Sequence, residues 1–202
     1  MKKSNTQTGR ISTASQWILI IGALSLLITY FVPIWRIDLW APQYPEGLTM
    51  KIWLSKLSGQ VEIINGLNHY IGMAHIKEEM FPEFKILPYC VAFLALAGVV
   101  AALLRKKTAV LAYFIVLVAG AVYALYDFWK WGYEYGHNLS DDAPIKVPGM
   151  AYQPPLLGYK ELLNFGAYSI PDIGGWIFAA FGVALIFILC YEFKFRKHEK
   201  IS

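Results

Sequence analysis

Four uninterrupted apolar runs set the limits of what this chain can fold into. They fall at Trp17–Val32, Ile86–Leu104, Ala109–Trp129 and Ile173–Phe193. Each has about the 17 to 25 residues that a helix needs to cross the hydrocarbon core of a bilayer. No charged residue lies deep inside any run, and Asp127 and Glu192 stand at the ends, where headgroups begin. The composition agrees: 57% of residues are apolar and 16% charged, against roughly 45–50% and 25% in a typical soluble protein. The lipid bilayer is therefore the expected surroundings. The formal charge of +4 reads as an orientation signal and not as a nucleic-acid footprint.

Four spans place both tails and the Arg105–Lys107 hairpin on one side of the bilayer. That side carries ten basic and two acidic residues, a net of +8, which leaves eight basic and twelve acidic residues, a net of −4, for the two long loops. Lys and Arg close to membrane spans are retained in the cytoplasm. Both termini are thus expected on the cytoplasmic side of a bacterial inner membrane. The fold expected is an all-α membrane protein: one four-helix domain over 17–193, in two outward-facing hairpins with extracytoplasmic loops 33–85 and 130–172. Cytoplasmic tails 1–16 and 194–202 flank it. The first tail, rich in Ser, Thr and Lys, is expected to be disordered away from the membrane. The first span reads as a retained anchor, because Val32-Pro33-Ile34-Trp35-Arg36 offers a signal peptidase no pair of small residues. Cys90 and Cys190 lie near opposite ends of different spans, roughly 20 Å apart by helical rise, too far for a disulfide. They read as small buried apolar residues.

In the first loop, Trp35, Trp40 and Tyr44 fit an aromatic belt at the outer surface. Pro42, Pro45 and Gly47 interrupt any helix there. Met50, Trp53, Leu54 and Leu57 recur at i, i+3, i+4 and i+7, which predicts a short amphipathic helix over Leu48–Leu57. It would lie on the outer leaflet or pack against the second loop. The third run is expected to continue as helix for a turn or two beyond Trp129. The second loop, Asn138–Pro171, carries Pro144, Pro148, Pro154 and Pro155 and is expected to be an irregular cover rather than a strand-rich unit. Asp172 is a natural N-cap for the last span. Small residues at Ala97/Ala101, Gly98/Ala102 and Gly120/Ala124 have the spacing that lets membrane helices approach.

The chemistry concentrates in the first loop, where Asn65–His75 reads NGLNHYIGMAH and gathers His69, Met73 and His75 within seven residues. Imidazole and thioether both suit copper, and thioethers suit Cu(I) in particular. His137, Met50, Met80 and Met150 also belong to the outer loops, whereas His198 lies in the tail. A thioether-rich site fits an oxidising compartment, where thiolates do not last. Glu134-x-x-His137 places a carboxylate and an imidazole toward one point on a helix, with Asp127 near the same face. The candidate metal ligands are therefore His69, Met73, His75, His137 and Met150, supported by Glu134 and Asp127. Hydrogen-bonded loop histidines without metal are the competing reading. No Gly-rich phosphate loop, GxSxG or HExxH is present, so an enzyme is not expected. No span interior holds a histidine for haem. The aromatics Tyr126, Phe128, Trp129, Trp131, Tyr133 and Tyr135 read as interfacial anchors or as the lining of a quinone or lipid pocket.

The segments PIWRIDLWAPQYPEGL, INGLNHYIGM, YGHNL, IKVPGMAYQPPLLG and IPDIGGW resemble the outer loops of a family of small bacterial membrane proteins associated with gene clusters for nitrous oxide reductase maturation. The resemblance covers most of the chain beyond the first tail. It implies accessory work on an extracytoplasmic copper enzyme, such as copper delivery or complex assembly, and no residue roles come with it. The alternatives are a metal-free structural or docking subunit of a membrane complex and a quinone-binding or other small-molecule-binding subunit.

Overall fold

A computed structural model of the chain describes residues 9–162 and 164–195. Of the tail 1–16 expected to be disordered away from the membrane, residues 9–16 are ordered, with Thr13–Gln16 already part of the first helix; residues 1–8, and the basic residues and His198 beyond 195, lie outside the described residues. Four helices are long and apolar enough to cross a membrane: Thr13–Tyr30, Glu83–Leu104, Lys107–His137 and Ile173–Lys194. The first comprises α1 (Thr13–Ser25) and a 3-10 turn, Leu26–Tyr30. It starts four residues before the apolar run because Ser12 caps it, its side chain accepting from the Ser15 N–H. The others are α3 (Glu83–Leu104), α4 (Lys107–His137) and α5 (Ile173–Cys190), the last running into a π-turn, Tyr191–Phe195. Asp172 caps α5 as expected, accepting from the Ile173 N–H at 2.7 Å.

The all-α expectation is overturned. Both long loops fold into a single five-stranded antiparallel sheet in the order β3-β2-β1-β5-β4. Its strands are β1 (Trp35–Ala41), β2 (Tyr44–Ile52), β3 (Leu57–Gly59), β4 (Gly158–Leu162) and β5 (Phe165–Pro171). The amphipathic helix expected over Leu48–Leu57 is instead the rest of β2, a turn and the start of β3. Pro45 to Gly47 occupy an irregularity opposite Trp40, where the β1–β2 register shifts between Leu39 and Ala41. The second loop is not merely irregular, since it supplies β4 and β5. Its strand β5 pairs with the central strand β1 from Trp35↔Pro171 to Trp40↔Gly166, joining the two loops.

Strand side chains alternate between faces, and here one face is apolar. Ile37, Leu48 and Met50 are buried in a second core, with Trp35 and Leu39 packed on it. The opposite face is polar: Asp38 accepts from Thr49 Oγ1 at 2.8 Å and lies 3.3 Å from Arg36 Nε. Helix α2 (Val61–Tyr70) and the end of α4 cover the apolar face through Ile64 and Tyr135. The first core lies among the four long helices and includes Leu19, Leu26, Val110, Phe181 and Leu185. Burying each such side chain contributes roughly 1.5–3 kcal/mol.

The helix contacts differ from the small-residue expectation in one respect. Gly98 brings α3 against α1, where a Cβ would stand 2.7 Å from that of Ala23, whereas a Cβ at Gly120 would meet no other element within 4 Å. At the bundle end away from the sheet, Glu192 stands at the end of the last span, as expected, and is buried within the protein. Its Oε1 accepts from the Ser12 N–H at 2.6 Å and from Ser15 Oγ at 2.8 Å, and Lys107 Nζ lies 3.9 Å from Oε2. These partners compensate its desolvation. The Gly9–Ile11 segment closes on the α3–α4 turn through the Ile11 N–H to Arg105 carbonyl bond, 2.8 Å. Cys90 and Cys190 are free and exposed on the outside of the bundle, not buried.

Candidate functional site

The segment Asn65–His75 is not a loop throughout: its first six residues complete α2. The chain then folds back on itself. The Gly72 N–H donates to the His69 carbonyl at 3.2 Å and the Met73 N–H to the Asn68 carbonyl at 3.0 Å. Gly72 makes this turn at φ +81, a left-handed conformation that glycine adopts without strain. A Cβ there would also stand 2.9 Å from that of Ala143.

Two buried asparagines hold the turn. Asn65 clasps Ile76 from both sides, its Oδ1 accepting from the Ile76 N–H at 2.7 Å and its Nδ2 donating to the Ile76 carbonyl at 3.0 Å. Asn68 Nδ2 donates to the Tyr135 hydroxyl at 2.7 Å, tying α2 to α4. Sequence reasoning passed over both. The signal was there, since asparagine disfavours helix interiors and recurs three residues apart in NGLN.

α4 runs unbroken to His137, as the sequence predicted. Glycine at 136 is required because the following segment crosses directly over the helix, and a Cβ there would overlap the backbone of Gln153. The Tyr152 N–H donates to the Gly136 carbonyl at 2.8 Å. This strap also binds the histidine turn: the Ser140 N–H donates to the Gly72 carbonyl at 2.8 Å and the Ile145 N–H to the Tyr70 carbonyl at 2.9 Å.

The outcome is an open depression of about 620 Å³ at the C-terminal end of α4, lined by His69, Gly72, Met73, His75, His137 and Ser140 among others. Four of the five candidate ligands thus border one depression. The His69 and His75 rings have their centres 6.3 Å apart, at 68°, and all three imidazoles are exposed. His137 Nδ1 lies 2.8 Å from the Tyr133 carbonyl, which can only accept, so Nδ1 donates; in the neutral ring the lone pair is then on Nε2. The Tyr133 ring stacks on the imidazole at 4.0 Å. An imidazole fixed through one nitrogen by a carbonyl is oriented as metal-binding histidines usually are.

Other expected members stand elsewhere. Met73 is 7% exposed and belongs to the second core as well as to the wall of the depression. Met150 is exposed in a turn, its N–H donating to the Val147 carbonyl, and does not line the depression. Nor do Glu134 and Asp127: the Glu134 carboxylate faces Lys130 at 3.8 Å, and Asp127 is half-buried on α4. The orienting acceptor is a backbone carbonyl instead of Glu134. Among the described residues, no three His, Cys, Asp or Glu side chains come together closely enough to hold a metal ion.

The α4 aromatics divide between two faces. Phe128, Trp131 and Tyr135 stack in succession at 6.2 and 4.7 Å against the second core. Tyr126, Trp129, Tyr133 and His137 stack at 6.2, 5.6 and 4.0 Å on the exposed side. They do not form one pocket.

The class defined by these features is an α/β chain with four candidate membrane spans and a sheet packed at one end of its helical bundle. Comparison with family models and with curated proteins gives no match.

Proposed function

We propose that this chain is an integral membrane accessory protein that holds copper as Cu(I) between His69 and His75, and hands it on during assembly of an extracytoplasmic copper enzyme such as nitrous oxide reductase. The observation that carries the metal reading is the 6.3 Å separation of the two ring centres. An imidazole bound at about 2.0–2.1 Å has its ring centre about 3.2 Å from the ion. Two rings opposed across one ion therefore stand about 6.4 Å apart, and two at a tetrahedral angle about 5.2 Å. That distance is compatible with the opposed arrangement, which further requires the two ring nitrogens to face one another; two-coordinate linear binding is a habit of Cu(I). His137 borders the same depression but does not come close enough to His69 and His75 to complete a three-ligand set. Met150, Glu134 and Asp127 have no part in this version of the site.

The charge asymmetry of +8 against −4 supports an extracytoplasmic sheet and depression, with both termini in the cytoplasm. The copper enzyme as partner rests on the family resemblance of the loops. A second reading, a docking subunit without metal, draws on the exposed Tyr126, Trp129 and Tyr133 stack, because aromatic side chains are favoured in protein interfaces.

The test is competition of the purified full-length protein with a weak Cu(I) chelator. About one Cu(I) per chain is expected, lost in the His69→Ala/His75→Ala double variant. No competition by the unaltered protein would remove the copper reading and favour docking.

A further inference from the structure

The bundle end away from the sheet gathers charge of one sign. Among the described residues it holds Arg10, Arg105, Lys106, Lys107 and Lys194 against one carboxylate, Glu192. Five positive charges less one negative leave an excess of four, however the groups pair. Glu192 is buried and turned inward to Ser12, Ser15 and Lys107.

Backbone pairing holds two of the cations side by side. The Lys107 N–H donates to the Gly9 carbonyl at 2.9 Å and the Ile11 N–H to the Arg105 carbonyl at 2.8 Å, which makes Arg10 and Lys106 an isolated antiparallel bridge. With bonds on both sides of the pair and none within it, this is the non-hydrogen-bonded site, where facing side chains come closest. Both residues are exposed. Like charges directly opposite one another are destabilising, and an anion that spans both turns the repulsion into attraction. Arg105 adds a third charge next to the pair. It ends α3 at φ +55, a left-handed position that glycine fills without strain. Here an arginine takes it, with Nη2 3.1 Å from Thr13 Oγ1.

The apolar surroundings identify the anion. Leu103 and Leu104 in the last turn of α3, Trp17 on α1 and Phe193 beyond α5 are exposed, and they adjoin the charged residues along the chain. A free phosphate uses the cations alone, whereas a phospholipid sets its headgroup on them and its acyl chains along the apolar side chains. Lys and Arg at the ends of membrane spans favour anionic headgroups by about fivefold in affinity per residue. We propose that Arg10, Lys106 and Arg105 form a headgroup site for an anionic phospholipid, whose phosphate lies across the Arg10–Lys106 pair. Lys107 is outside this site, since its ammonium faces Glu192 and the Phe193 ring. The inference is independent of whether copper binds.

Binding of fluorescently labelled phosphatidylglycerol to the full-length protein in neutral detergent tests it. Unlabelled phosphatidylglycerol should displace the probe, and phosphatidylcholine or inorganic phosphate at the same concentration should not. The Arg10→Gln/Lys106→Gln variant should bind the probe about 30-fold more weakly, and Lys106→Gln alone, at an exposed side chain, about fivefold more weakly. Lys51→Gln, on the sheet, should leave the affinity unchanged. Equal displacement by phosphatidylcholine overturns the proposal, as does an unchanged affinity in the Lys106→Gln variant. Displacement by inorganic phosphate as effective as that by phosphatidylglycerol identifies a site for free anions and overturns the lipid assignment.

Discussion

Replacing Asn65 by Ala removes both arms of the clasp that closes the histidine-bearing turn. Asn65 is 2% exposed and Ile76 4%, so the Ile76 N–H and carbonyl lose their partners where water does not readily reach them. Each orphaned buried group costs about 1–3 kcal/mol. Two such losses, eased by local relaxation, come to about 3 kcal/mol. For a chain of this size each kcal/mol lowers Tm by about 2–4 °C, which gives a fall of about 6–12 °C. Thermal unfolding in detergent, followed by tryptophan fluorescence, reads this directly, because Trp35 and Trp131 both pack on the second core. Asn65→Asp keeps an acceptor for the Ile76 N–H but turns an oxygen toward the Ile76 carbonyl, so it should be no better than Ala. His75 adjoins Ile76, so the Ala variant should also bind Cu(I) more weakly. A fall of under about 2 °C would refute the reasoning, since the clasp would then bear little of the turn's stability.

Gly136→Ala should lower Tm by several degrees, because the added Cβ has to displace the strap backbone, and overpacking of this kind costs about 1–3 kcal/mol. Limited proteolysis between Asn138 and Leu157 should quicken at the same time. A reporter active only outside the cytoplasm should give signal when fused at Ser58 or Ser140 and none at the C-terminus. Silence at both loop positions would reverse the orientation and place the depression in the cytoplasm. Asp38→Ala leaves Thr49 Oγ1 without its acceptor on a partly exposed face and should cost only about 0.5–1.5 kcal/mol, measured by the same unfolding assay.

The spans were legible because four long apolar runs admit few alternatives, and α4 could be followed past the apolar run to His137. The sheet was legible only in part. β1 alternates openly, with Trp35, Ile37 and Leu39 on one face and Arg36, Asp38 and Trp40 on the other. β2 does the same with Leu48, Met50 and Ile52 against Thr49 and Lys51. The helical spacing of Met50, Trp53, Leu54 and Leu57 masks that alternation. Pro45 and Gly47 rule out a continuous helix there, yet a strand irregularity accommodates both. The β1–β5 pairing joins residues more than 120 positions apart, and no local pattern encodes it.

At the site, the clustering of His69, Met73 and His75 was visible, but the direction of each side chain was not. Met73 turns partly into the core because it sits between two segments that must both pack on the sheet. Glu134 and His137 have the spacing of a carboxylate–imidazole pair, yet Lys130 one turn earlier attracts the carboxylate. The Tyr133 carbonyl that orients His137 leaves no trace in side-chain identity.

X-ray absorption of the Cu(I)-loaded protein tests the copper account most directly. The account predicts two nitrogen scatterers at about 2 Å with the outer-shell pattern of imidazole, lost in the His69→Ala/His75→Ala variant and retained in Met150→Ala. A first shell without imidazole, or a spectrum unchanged in the double-histidine variant, would contradict it.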